Sequence, residues 1–265
     1  VVVDQGPDVA GNPCPVVDRA TGTIFLVYNT NPASDANRRS VWVTRSDDDG
    51  LTWSAGVDVT ADVKGPRWSW YAVGPGRGVQ LFSGRLVVPA DHHDDATGVF
   101  ASHVLFSGDG VHWQLSGSIG ADTDEAQVAQ LSDGGLLLSA RDLSVTHRRA
   151  SARSADQGQS WGETTRDPAL NDPSCEGSLL ATPADLLFSN PDSASSRTKL
   201  TVRVSHDDGV TWPVARVLHA GPAAYSSLAP LKDGRLACLY EQGEFSFAPY
   251  DRITLARFTR GWLEP

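Results

Sequence analysis

The stretch "SHDDGVTWP", Ser205–Pro213, packs two acids, a glycine and a tryptophan into nine residues. Three near copies of it decide how the chain is read: "SDDDGLTW" at Ser46–Trp53, "SADQGQSW" at Ser154–Trp161 and a degenerate "FSGDGVHW" at Phe106–Trp113. The closing tryptophans, Trp53, Trp113, Trp161 and Trp212, are spaced by 60, 48 and 51 residues. A period of about 50 residues marks a repeat architecture with one supersecondary unit per period.

In the box S-x-D-x-G-x-[TS]-W the Asp can accept backbone N–H bonds within its own turn, the Gly supplies a left-handed conformation, and the Trp buries its ring between neighbouring sheets. The box is read as scaffold. A calcium loop would need a bidentate Glu six residues after Gly50, and that position is Gly56, so no metal site is expected. A catalytic carboxylate pair is needed once, and this element occurs four times.

Between the boxes lie "GTIFLVYN", "GVQLFSGRLVVPA", "VAQLSDGGLLLSAR" and "LAPLKDGRLACLYE", short apolar runs punctuated by hairpin-type turns. A third run follows each, "VWVTRS", "SHVLFS", "ASARSA" or "KLTVRVS", then the box and a further short segment. Four strands per period is the count of a β-propeller blade. No window keeps a helical i, i+3, i+4, i+7 apolar pattern, so helices should be few. A β-sandwich is the second architecture considered, and its strands would not predict so regular a box.

The 265 residues suit one all-β domain over 1–265. A net charge of −10 and a pI near 5.0 argue against nucleic acid or an anionic membrane as bulk partner, and no apolar run is long enough to span a bilayer. Cys14, Cys175 and Cys238 are far apart and outside any C-x-x-C pair, so they read as buried thiols. The chain has no Met, starts at "VVVDQ" and shows no signal-peptide pattern, so a processed or trimmed chain is expected.

Four once-only polar residues sit beside apolar strands: Glu125 in "DTDEAQVAQL", Arg141 in "LLLSARD", Arg197 in "SSRTKLTVRVS" and Tyr225 in "AAYSSLAPL". Each alone reads as an ordinary surface or half-buried group. Together with the boxes, and with "GNPCPVVDRATGTIFLVY", "YAVGPGRGVQL", "GRLVVPA", "DEAQVAQLSDGGLLLSARD" and "YSSLAPLKDGRLACLYE" in this order, the chain resembles the sialidases. That resemblance implies a six-bladed β-propeller that cleaves terminal sialic acids, with sialylated glycans or sialic acid as partner and no cofactor.

The resemblance also assigns roles. Sialic acid carries a carboxylate on its anomeric carbon, which would repel an anionic nucleophile, and a neutral tyrosine activated by a glutamate base avoids that repulsion. Sialidases are the standing exception to the two-carboxylate scheme of glycosidases. Tyr225 is then the nucleophile and Glu125 its base. Arg141 and Arg197 resemble the second and third of the family's carboxylate-binding arginines, whose planar forks match a carboxylate bidentately. Arg203, mid-strand, is the lesser candidate for the third. Asp91, His93 and Arg67 fall where substrate-contacting loops are expected.

The family's opening R-I-P arginine and the Asp acid/base after it have no counterpart in the chain, and Asp4 and Asp8 lie in the wrong context. The propeller is therefore expected to be incomplete at its N-terminus. A catalytically impaired glycan-binding propeller and a trans-sialidase remain as alternatives. A monomer, secreted or extracellular rather than cytoplasmic, is expected.

Overall fold

The computed structural model describes residues 1–244 and 248–264. Strands β1 (Val9–Val17), β2 (Ile24–Asn31), β3 (Ser40–Ser46) and β4 (Val57–Asp58) form the first sheet, followed by the single-turn helix α1 (Thr60–Val63). The second sheet holds β5 (Trp68–Val73), β6 (Val79–Gln80), β7 (Leu86–Asp94), β8 (Val99–Ser107) and β9 (Trp113–Leu115). The third holds β10 (Thr123–Gln130), β11 (Leu136–Asp142), β12 (Arg148–Ser154) and β13 (Thr165–Asn171). The fourth runs through β14 (Ser178–Ala181), β15 (Leu186–Pro191), β16 (Thr198–Ser205), β17 (Val214–Pro230), β18 (Leu236–Gln242) and β19 (Arg252–Phe258), with α2 (Arg260–Leu263) behind it. All named strand pairs are antiparallel.

The fold is an all-β propeller of four hydrogen-bonded sheets among the described residues, and the expectation of six blades is corrected. The physical reason lies in β17, a 17-residue strand. Its first part pairs with β16 and its second, from Ala223 onward, with β18, so the fourth sheet continues through it instead of closing at a loop.

The core follows the two-residue alternation of strands. Leu136 and Leu138 of β11 join a layer with Val87, Val104 and Val128 between the second and third sheets. Leu137, between them in sequence, turns the other way to pack with Ala129, Leu179 and Phe188. Each interior sheet thus buries both faces, which explains runs such as "LLLSA" that are apolar at every position. Leu239, Ile253 and Leu255 on β18 and β19, with Val9 and Val17 on β1, leave apolar surface exposed on the first and last sheets.

The boxes close these sheets. In the last, Ser205 Oγ donates to Asp207 Oδ1 at 2.7 Å and accepts from Gly209 N at 2.8 Å; the N–H and hydroxyl of Thr211 donate to the same carboxylate at 2.8 and 2.6 Å. The other complete boxes repeat this at Asp48 and Asp156, and in the degenerate copy His112 Nδ1 replaces the hydroxyl on Asp109 at 2.7 Å. Gly209 sits at φ 81°, the conformation that the turn requires of it. Trp113, Trp161 and Trp212 pack on three different core layers.

The Ser160 and Thr211 hydroxyls and N–H groups hold the Asp156 and Asp207 carboxyls down at about 2. An unfolded Asp titrates at about 3.9. The stabilisation is therefore complete above that value and is lost as pH falls toward the folded pKa. The thermal midpoint should drop between about pH 4 and 2, and a D156N/D207N variant should show a shallower drop when melting is followed across that range.

Candidate active site

A two-against-one β-bulge recurs in four strand pairs, β1–β2, β5–β7, β10–β11 and β17–β18. Asn12 and Pro13 lie opposite Tyr28, Ser69 and Trp70 opposite His93, Asp124 and Glu125 opposite Arg141, and Ala224 and Tyr225 opposite Glu241. A bulge breaks the alternation and re-aims side chains, and bulges favour active sites for that reason. In β17 the effect is explicit: Ala223 and Leu228, five positions apart and so of opposite parity, both enter the same core layer. Tyr225 stands at the break.

The bulges of β10 and β17 bring Glu125 and Tyr225 together. The Tyr225 hydroxyl donates to Glu125 Oε1. Arg141 Nη1 donates to Glu125 Oε2 at 3.0 Å, lies 3.5 Å from the Tyr225 hydroxyl oxygen and 3.5 Å from Asp124 Oδ2. The adjacent residues Asp124 and Glu125 both reach one arginine because the bulge interrupts their alternation. Burial pushes the Glu125 carboxyl up, and although Arg141 opposes this, the net shift is upward. Burial, then the neighbouring Glu125, pushes the Tyr225 hydroxyl up as well. Burial works against the charge on Arg141, yet Asp124, Glu125 and Tyr225 together raise its pKa.

Arg197 stands immediately before β16, and its carbonyl accepts from Ala223 N at 2.9 Å, two residues from Tyr225. Its guanidinium carbon lies 5.5 Å from the centroid of the Tyr225 ring. Nη2 donates to the Ser174 carbonyl and Nη1 to the Tyr250 hydroxyl, each at 2.8 Å. Ser174 also serves the other arginine, since Arg141 Nε donates to its Oγ at 3.3 Å. The segment around Ser174 is pinned by the buried pair Arg149–Asp172: Arg149 Nη1 reaches Asp172 Oδ2 at 3.0 Å and the Cys175 carbonyl at 2.8 Å, while Asp172 Oδ1 accepts from Cys175 N at 2.9 Å.

Asp91, fully buried on β7, accepts from Trp70 Nε1 at 3.0 Å. Its other oxygen has no partner among the described residues, and burial, with the adjoining Asp124 carboxylate, holds its pKa well above the ordinary range. Asp91 therefore joins the cluster through Asp124. Arg67 and His93 do not: Arg67 pairs with Asp94 at 2.8 Å and His93 with Asp95 at 3.0 Å in a separate exposed network. Arg203 is consumed by Asp192 and Asn190, at 2.7 and 3.2 Å.

Sequence reasoning missed Asp124, Ser174, Tyr250, Trp70 and Arg39. Arg39 stacks on Trp70 with its guanidinium carbon 3.6 Å from the ring centroid and donates to Asn12 Oδ1 at 3.1 Å, tying the first two bulges together. Asp124 carried a signal, an acid directly before Glu125 at the start of a strand. The other four depend on contacts across sheets and carried none.

Comparisons with known proteins place this geometry in a family. Residues 1–238 match the BNR repeat-like domain. The chain is 37% identical to a sialidase of Micromonospora viridifaciens over 95% of its own length and 42% of that protein's. It is 30% identical to an exo-alpha-sialidase of Arthroderma benhamiae, covering 99% of this chain and 70% of the relative. The solved structure of the Hadza microbial sialidase Hz136 superposes with a TM-score of 0.88 at 31% identity, over 98% of this chain and 54% of that one. The chain thus spans under half of the bacterial relative and about half of the solved structure. It belongs to the sialidase family.

Breaking the Arg149–Asp172 pair leaves a buried charge unpaired. Arg149→Met should cost about 3–5 kcal/mol of unfolding free energy by urea titration, and Asp172→Asn should cost a comparable amount, because it leaves the buried Arg149 cation without its counter-charge and turns an amide NH2 toward an N–H donor.

Proposed function

We propose that this site removes terminal α-linked sialic acid from glycoconjugates by a retaining mechanism in which Tyr225 is the nucleophile. The observation that carries the reading is the Tyr225 hydroxyl donating to Glu125 while Arg141 Nη1 bridges the pair. Glu125 takes the hydroxyl proton as Tyr225 oxygen bonds to the anomeric carbon and the bond from that carbon to the aglycone oxygen breaks, the departing oxyanion taking its proton from solvent. Arg141 and Arg197 hold the substrate carboxylate beside the tyrosine, each retaining donors in its fork for a bidentate pair. Water then attacks the tyrosyl-linked carbon and releases its surplus proton to solvent, while the bond to Tyr225 oxygen breaks and Glu125 returns its proton to that oxygen, which completes the cycle with retention.

The pKa shifts fit these roles. A phenol pushed upward does not ionise on its own near neutral pH, so it needs a partner base in contact. A buried glutamate pushed upward is a stronger base than a solvated one.

Release of a fluorogenic aglycone from a sialoside tests the reading. Tyr225→Phe should abolish turnover with an unchanged circular dichroism spectrum; turnover equal to wild type removes Tyr225 from the mechanism. Glu125→Gln should lower kcat by about 10²–10⁴-fold. Because Glu125 must be unprotonated to accept the proton and its pKa is raised, the acid limb of kcat/KM should lie above the ordinary glutamate value of about 4.3. Arg197→Ala should weaken binding by about 1.5–3 kcal/mol, read as a higher KM.

A further inference from the structure

At the bulge that aims Tyr225, two consecutive backbone N–H groups donate to glutamate carboxyl groups. Tyr225 N donates to Glu241 Oε2 and Ser226 N to Glu176 Oε2, each at 3.1 Å. Glu241 faces Tyr225 across the β17–β18 ladder, the position that Arg141 occupies opposite the Glu125 bulge. Glu176 approaches from the segment before β14, where Ser178 Oγ likewise accepts from Leu228 N at 2.9 Å. Both glutamates, with Tyr225, Pro75 and Tyr240, line a cavity of about 170 Å³. Neither carboxylate has a part in the chemistry assigned to Glu125.

We propose that Glu241 is a positioning residue for the nucleophile: its side chain, together with the Glu176 carboxyl group, clamps the Tyr225–Ser226 segment and so fixes the direction in which the tyrosine hydroxyl points. A charge-assisted bond to a backbone N–H is stronger than a neutral one. An unclamped bulge has an alternative, since slipping by one residue would restore regular pairing and turn Tyr225 toward the other face. The clamp removes that alternative. Glu176 is fully buried, and its burial pushes its carboxyl up to about 8, so it serves as an acceptor that is largely uncharged at neutral pH.

The role rests on Tyr225 being the nucleophile, and the test separates the two. Glu241→Ala should lower kcat on a fluorogenic sialoside by about 10- to 100-fold, the scale of a small misplacement, with KM little changed. Glu241→Gln, which keeps an acceptor oxygen, should restore most of kcat. Glu241→Asp, one methylene shorter, should lose kcat as Glu241→Ala does and stands in for it if the alanine variant does not fold. Independently of turnover, the Tyr225 amide should exchange with deuterium about tenfold faster in the alanine or aspartate variant, while the Leu228 amide keeps its protection. A wild-type kcat per folded molecule in those variants, an equal loss in Glu241→Gln, or unchanged Tyr225 exchange would overturn the clamp. If the wild-type protein released no aglycone, the sialidase reading would fall, and the exchange result alone would decide whether Glu241 holds the bulge.

Discussion

One extra residue in each of β1, β5, β10 and β17 shapes this site. A regular ladder would turn neighbouring residues to opposite faces, so Asp124 and Glu125 could not both meet Arg141, and Tyr225 would be bound to the alternation that places Leu228 in the core. The repeated bulge relaxes that rule where the site residues stand. Elsewhere the strands pack as apolar layers. At the bulges of β10 and β17, Glu125 and Tyr225 stand together, with Arg141 and Glu241 opposite.

The two repeats in this chain differ in how much of themselves they write into the sequence. The box at Asp207 needs a hydroxyl, a carboxylate and a glycine at fixed offsets, because four hydrogen bonds and two left-handed residues, Asp208 and Gly209, must coincide within a single turn. Its residues therefore recur and the period is readable. The bulge needs only one residue too many, so Asn-Pro, Ser-Trp, Asp-Glu and Ala-Tyr all serve, and nothing recurs. The all-β architecture was legible for the first reason. The convergence of Glu125, Arg141, Arg197 and Tyr225 was reachable only by resemblance, and Ser174, Trp70 and Arg39 by neither route.

The blade count shows where resemblance overreached. Expecting six units came from the family, whereas the chain's own boxes number four, in agreement with its four hydrogen-bonded sheets. Arg67 and His93 were placed by loop position, and their nearest acids, Asp94 and Asp95, lie beside His93 in sequence, a local pairing that was visible in "DHHDD". Arg203 illustrates the opposite case: its mid-strand position pointed inward to Asp192 and away from a pocket.

Ser174 gives the two arginines a common anchor, its hydroxyl to Arg141 and its carbonyl to Arg197. Groups that share a partner do not contribute independently. Ordering one guanidinium fixes the serine and so lessens the entropy lost in ordering the other, which couples the two arginines through a residue that carries no charge.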